Sequence, residues 1–89
     1  IEYRYASRIA DVTLYIEYTD SSTIELIVKE VREENMRVTD LEVTRSPEAD
    51  EFTRRYCAVI TIQADKQKLE NQLIKQIAAL DNVINIEEM

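Results

Sequence analysis

For chemistry the chain offers one thiol (Cys57), five tyrosines and eighteen carboxylates, and it has no histidine and no glycine. Each absence removes a class of site. Without an imidazole, no Ser-His or Cys-His pair can form. One cysteine and no histidine leave zinc too few ligands. Without glycine, neither Gly-rich phosphate-cradling loop can be built. The carboxylates gather as Glu33-Glu34, as Glu48 with Asp50 and Glu51, and as Glu87-Glu88. Magnesium and calcium take oxygen ligands of this kind. None of these groups has the spacing of a known cation loop, and they read as solvated charge that protects strand edges. Cys57 reads as a small apolar residue on a sheet face. No catalytic residue, metal ligand or cofactor is expected.

The one stretch with the makings of a ligand site is Thr19-Asp20-Ser21-Ser22. It lies just before a helix, where free N–H groups and the helix dipole suit an anion or a carboxylate. These four are the candidate ligand-binding residues. Ordinary capping by Ser22 is the competing use of the turn, and the charge on Asp20 would repel an anion.

The elements that position this turn follow from periodicity. Val12, Leu14, Ile16 and Tyr18 alternate with Thr13, Tyr15 and Glu17, so the first set faces a core from a strand that begins near Ile9. The period then changes. Ile24, Ile27, Val28 and Val31 fall on one helical stripe. Ser22 and Glu25 have capping-box spacing, and Glu25 and Lys29 are ordered for an i,i+4 pair. Asn35 is the stop, because Asn is the next best residue after Gly for a left-handed C-terminal position. Val38 to Val43 resumes alternation, with Leu41 and Val43 on one side and Asp40 and Glu42 on the other. Ser46 to Glu51 holds the only proline and reads as a turn. Phe52 to Ala64 is a third strand, with Tyr56, Ala58, Ile60 and Ile62 on one face. Asp65 caps a second helix, whose stripe is Leu69, Leu73, Ile77 and Leu80. It stops at Asp81-Asn82, and Val83 to Glu87 closes the chain as a short strand.

The order strand, helix, strand, strand, helix, strand predicts an α+β, ferredoxin-like βαββαβ fold: a four-stranded antiparallel sheet with two helices on one face. Strands one and three are central in that topology, and strands two and four are edges. Residues 1–8 are expected to be a lead-in or linker, and residues 9–89 the domain. If the helices cover Leu14, Ile16, Ile60 and Ile62, the open face carries Thr13, Tyr15, Cys57, Val59, Thr61 and Val83. That face is more apolar than plain solvent surface. Tyr15, Cys57 and Val59 on it, and Leu41 and Val43 on the second strand, are the candidate interface residues, through face contact or edge-to-edge pairing with a second copy. A homodimer or another protein partner is the expected association.

The 89 residues carry a formal charge of −7. Residues 1–45 hold six basic and ten acidic side chains and residues 46–89 five and eight, so the halves are −4 and −3. There is no basic half to lie on a phosphate backbone, which argues against nucleic acid. The single cysteine and the lack of a glycosylation sequon fit a reducing, cytoplasmic setting. The chain opens on Ile1 with no initiator Met, and the expectation is a piece of a longer protein.

The run VTLYIEYTDSSTIELIVKEVREENMRVTDLEV and the closing LIKQIAALDNVINIEEM resemble the C-terminal cytoplasmic domain of the MgtC/SapB family of bacterial membrane proteins, an ACT-like domain. The resemblance covers nearly the whole chain from about Ile9. It implies transmembrane helices upstream, a parent in the bacterial inner membrane, and a non-catalytic regulatory role linked to magnesium homeostasis. The alternative it leaves open is an amino-acid-sensing ACT regulatory module of a metabolic enzyme. In that class the loop after the first strand usually contains glycine, where this chain has Thr19 to Ser22.

Overall fold

In the computed structural model, residues 9–45 and 55–89 are described. The lead-in over residues 1–8, the Ser46–Glu51 turn and the expected start of strand three at Phe52 lie outside them. The elements are β1 (Ile9–Tyr18), α1 (Thr23–Glu33), β2 (Arg37–Arg45), β3 (Tyr56–Asp65), α2 (residues 66–78) and β4 (Val83–Glu88). The sheet order is β2-β3-β1-β4, and every pairing is antiparallel. The expected ferredoxin-like fold is therefore present, with β1 and β3 central.

The core is the sum of the predicted stripes. Leu14, Ile16, Ala58, Ile60 and Ile62 from the sheet are fully buried against Ile27 and Val31 of α1 and Leu69, Leu73 and Ile77 of α2. Cross-strand register builds the sheet face of this core, with Val12 opposite Ile62, Leu14 opposite Ile60 and Ile16 opposite Ala58. At its end Tyr18 sits opposite Tyr56, their rings stacked 5.6 Å apart.

In α2 the buried residues recur every four positions, whereas an α-helix turns every 3.6. A straight helix would rotate the stripe off the core. The residues Leu69–Leu73 form a single π turn, and the Ile74 N–H reaches back five residues to the Leu69 carbonyl. One wider turn keeps Leu69, Leu73 and Ile77 on one face. As expected, Asp65 caps this helix, accepting from the N–H groups of Gln67 (3.0 Å) and Lys68 (3.3 Å).

The edge strands depart from strict alternation in the same way. In β2 the register shifts between Val38 and Asp40, leaving Thr39 as the extra residue of a bulge. Val38, Leu41 and Val43 then lie on the helix side, opposite Ile62, Ile60 and Ala58. In β4 a shift at Glu17/Tyr18 leaves Ile84 over, so that Val83 and Ile86 both pack on the core. This corrects the expectation that Val83 lies on the open face. A period-two reading misplaced it because a bulge inverts the alternation beyond it.

The end of α1 is a Schellman motif. Asn35 is left-handed (φ 59°), its N–H donates to the Arg32 carbonyl at 3.0 Å, and the Met36 N–H donates to the Val31 carbonyl at 3.0 Å. Met36 and Val31 are both buried, the apolar contact that accompanies this motif. Lys68 and Gln76 of α2 reach Glu34 just beyond α1. The Lys68 Nζ donates to the Glu34 carbonyl at 3.3 Å and lies 3.7 Å from its carboxylate, and the Gln76 amide donates to that carboxylate at 3.2 Å.

Candidate functional site

The Thr19–Ser22 turn is fixed from both sides. The Thr19 N–H donates to the Asn82 carbonyl at 2.9 Å, which ties the turn to the loop before β4. Asp20 Oδ1 accepts from both the N–H (3.0 Å) and the hydroxyl (2.9 Å) of Ser22. These two bonds, the backbone one foremost, hold the Asp20 carboxyl below its ordinary pKa. The expected capping box does not form. Ser22 is itself helical (φ −72°, ψ −13°) and its side chain makes no cap bond; its hydroxyl is turned to Asp20, to which it donates. The Lys29 partner also differs. Lys29 sits 3.9 Å from Glu33 rather than pairing with Glu25, and both groups are exposed.

An anion at this turn would therefore meet a carboxylate already seated on the Ser22 N–H. Behind the turn, Thr23 is 1% exposed and its hydroxyl has no hydrogen-bond partner among the described residues.

The open face carries Thr13, Tyr15, Cys57, Val59 and Thr61 as expected, all half-buried. Its polar groups are satisfied internally. The Thr13 and Thr61 hydroxyls share a hydrogen bond at 3.3 Å across the central strand pair. Tyr15 sits opposite Val59, and its hydroxyl reaches the diagonal neighbour Cys57, donating to Sγ at 3.2 Å. That bond raises the Tyr15 phenol pKa, with burial and the neighbouring Cys57 and Glu17 adding to it. Tyr15 thus stays protonated through the neutral range and acts as a donor, not a base. Tyr18 is also pushed up, chiefly by burial. Among the described residues no group of three or more His, Cys, Asp or Glu side chains is placed to hold a metal ion.

The candidate interface residues fall on two surfaces. Tyr15, Cys57 and Val59 lie on the open face. Leu41 and Val43 lie on the helix side of the edge strand, where they are 39% and 46% exposed. Beside them the structure opens a groove that periodicity alone did not single out. A cavity of about 410 Å³ runs between α1 and β2, floored by Ile24, Val28 and Leu41 and rimmed by Glu25, Lys29 and Arg32. Its sequence signal was the apolar pair Ile24 and Val28, four apart on the flank of the α1 stripe. A smaller cavity of about 250 Å³ lies just past the C-terminal end of α1, beside Ile9, Asn35, Met36 and Lys68.

Comparison with known proteins places the fold. No family model matches the sequence, and no curated protein matches it. Solved structures do. The ACT domain of a GTP pyrophosphokinase from Chlorobium tepidum superposes with a TM-score of 0.71 at 8% identity, covering 91% of this chain and 99% of that one. The C-terminal domain of the MgtC protein from Mycobacterium tuberculosis gives 0.65 at 10% identity, over 92% and 87%. A homoserine dehydrogenase from Thiobacillus denitrificans gives 0.69 at 11% identity, over 91% of this chain and 17% of the enzyme. The chain thus has the ACT-like form of the ferredoxin-like fold. Among the described residues no helix is long and apolar enough to cross a membrane.

Proposed function

We propose that this chain is a non-catalytic regulatory domain of an MgtC/SapB-like membrane protein linked to magnesium homeostasis. It works at the cytoplasmic face by contact with protein, a second copy of itself first, and not by chemistry on a small molecule. The observation that carries the reading is the match in fold along nearly the full length of the MgtC C-terminal domain, joined to the sequence resemblance from Ile9 onward. The inventory of side chains supports the non-catalytic part. The chain has no imidazole, its turn before α1 is occupied by its own Asp20, and its Tyr15 and Cys57 are bonded to each other.

A thermal melt with each amino acid, common nucleotides and magnesium tests this. A ligand at 100 times its dissociation constant adds about 2.7 kcal/mol, a shift on the order of 10–20 °C for a domain of this size. No shift is expected from any of them. A selective shift by one amino acid would overturn the reading in favour of a sensor.

A further inference from the structure

The sheet face turned away from the helices carries its chemistry in rows. Glu42 lies opposite Val59, Val59 opposite Tyr15, and Tyr15 opposite Glu87. One row across the sheet thus runs carboxylate, aliphatic, aromatic, carboxylate. The neighbouring rows pair Cys57 with Glu17, and Thr61 with both Thr13 and Asp40. The central residues Thr13, Tyr15, Cys57, Val59 and Thr61 are half-buried, whereas Asp40, Glu42 and Glu87 on the flanks are exposed. None of the face's acids Glu17, Asp40, Glu42 and Glu87 forms an ion pair among the described residues. Arg37, opposite Gln63 at one end, is the one basic residue that register places on this face among the described residues.

This pattern says what can cover the face. The backbone groups of the central strands are bonded within the sheet, so an occupant meets side chains only and must satisfy its own backbone, as a helix does. The polar groups at the centre are bonded to one another, Thr13 with Thr61 at 3.3 Å and Tyr15 to Cys57 at 3.2 Å. An apolar stripe can lie on them and leave little unpaired. Glu42 and Glu87 are three strand spacings apart, roughly 14 Å at the backbone, and so straddle a helix about 10 Å across. A second copy is disfavoured here because it would set carboxylates against carboxylates. An anionic lipid surface is disfavoured for the same reason.

We infer that the open sheet face is the docking surface for a basic amphipathic α-helix of another protein, its apolar stripe on Tyr15 and Val59 and its Lys or Arg side chains reaching Glu42 on one flank and Glu87 on the other. This rests on the reading that the domain works by contact with protein, and it adds a different partner to the second copy. The probe is a Leu/Lys peptide of about 18 residues with a helical apolar stripe, about 27 Å long, titrated into the isotope-labelled 89-residue chain and followed by NMR. Amide shifts should map to β1 and β3 around Tyr15 and Val59. Glu42→Lys and Glu87→Lys should each weaken binding about fivefold, and a Leu/Glu peptide of the same pattern should not bind. Glu33→Lys and Glu70→Lys on the helices change the net charge equally and, at physiological salt, should leave the affinity within about twofold. All four positions are exposed, so folding is spared, and unchanged circular dichroism confirms it. Shifts that map to the α1–β2 groove, control reversals that weaken binding as much as the flank reversals, or no binding at any attainable peptide concentration overturn the assignment. Sedimentation velocity of Glu87→Lys should match the parent chain, and a changed association would give the face to a second copy instead. None of these failures touches the contact reading, which falls to a selective ligand shift in the thermal melt.

Discussion

Asp20, Thr23 and Asn35 each make a measurable statement about local physics. Asp20 is held ionised by its two bonds from Ser22, and its folded pKa lies below the ordinary 3.8. A depressed carboxyl stabilises the fold above its unfolded pKa, and that contribution fades as pH falls through the folded value. Asp20→Asn should therefore lower the melting temperature at neutral pH, and the gap to the parent should close in acid. A gap that persists below both pKa values would mean the carboxylate charge is irrelevant to the turn. Thr23 buries a hydroxyl that the structure leaves without a protein partner. Thr23→Val replaces it with a methyl on the same branched frame and should raise stability by about 1 kcal/mol, since an unsatisfied buried polar group is removed. Chemical denaturation measures this, and a loss of similar size would mean the hydroxyl is bonded in solution. Asn35 carries a positive φ that costs a β-carbon about 1 kcal/mol or more. Asn35→Ala should be destabilising by about that amount, and Asn35→Gly close to neutral.

At the scale of elements, Leu14 anchors the central strand pair. It is fully buried opposite Ile60, and Leu14→Ala should cost about 2–5 kcal/mol. A near-neutral result in denaturant unfolding would mean the sheet faces are assigned backwards. The face of β1, the face of β3 and both helix stripes were readable from sequence because a period of two and a period near four are local properties of the chain. So were Asn35 as a stop and Asp65 as a cap. The errors sit where a third residue enters a two-residue contest. Ser22 and Glu25 have the spacing of a capping box, yet Ser22 is already helical and its hydroxyl is turned toward Asp20. Val83 reads as outward until the bulge at Ile84 turns it inward. The site was less legible than the fold. The groove needs Ile24 and Val28 on one element and Leu41 on another, and no periodicity within one segment reports that the helix stops short of covering the strand edge.

For the whole molecule, the acidic balance of −7 leaves mixed charge beside the apolar groove, whose rim sets Glu25 next to Lys29 and Arg32. The ACT-like fold explains why the groove lies where it does. Two helices spread over a four-stranded sheet leave the flank of α1 beside the outermost strand β2 incompletely covered, with Leu41 and Val43 exposed there. Sedimentation velocity of the unaltered 89-residue chain across a wide concentration range is the most direct test of function by self-association. A concentration-dependent shift from monomer to dimer is the expected result. A single monomeric species up to the highest concentration attainable would contradict it.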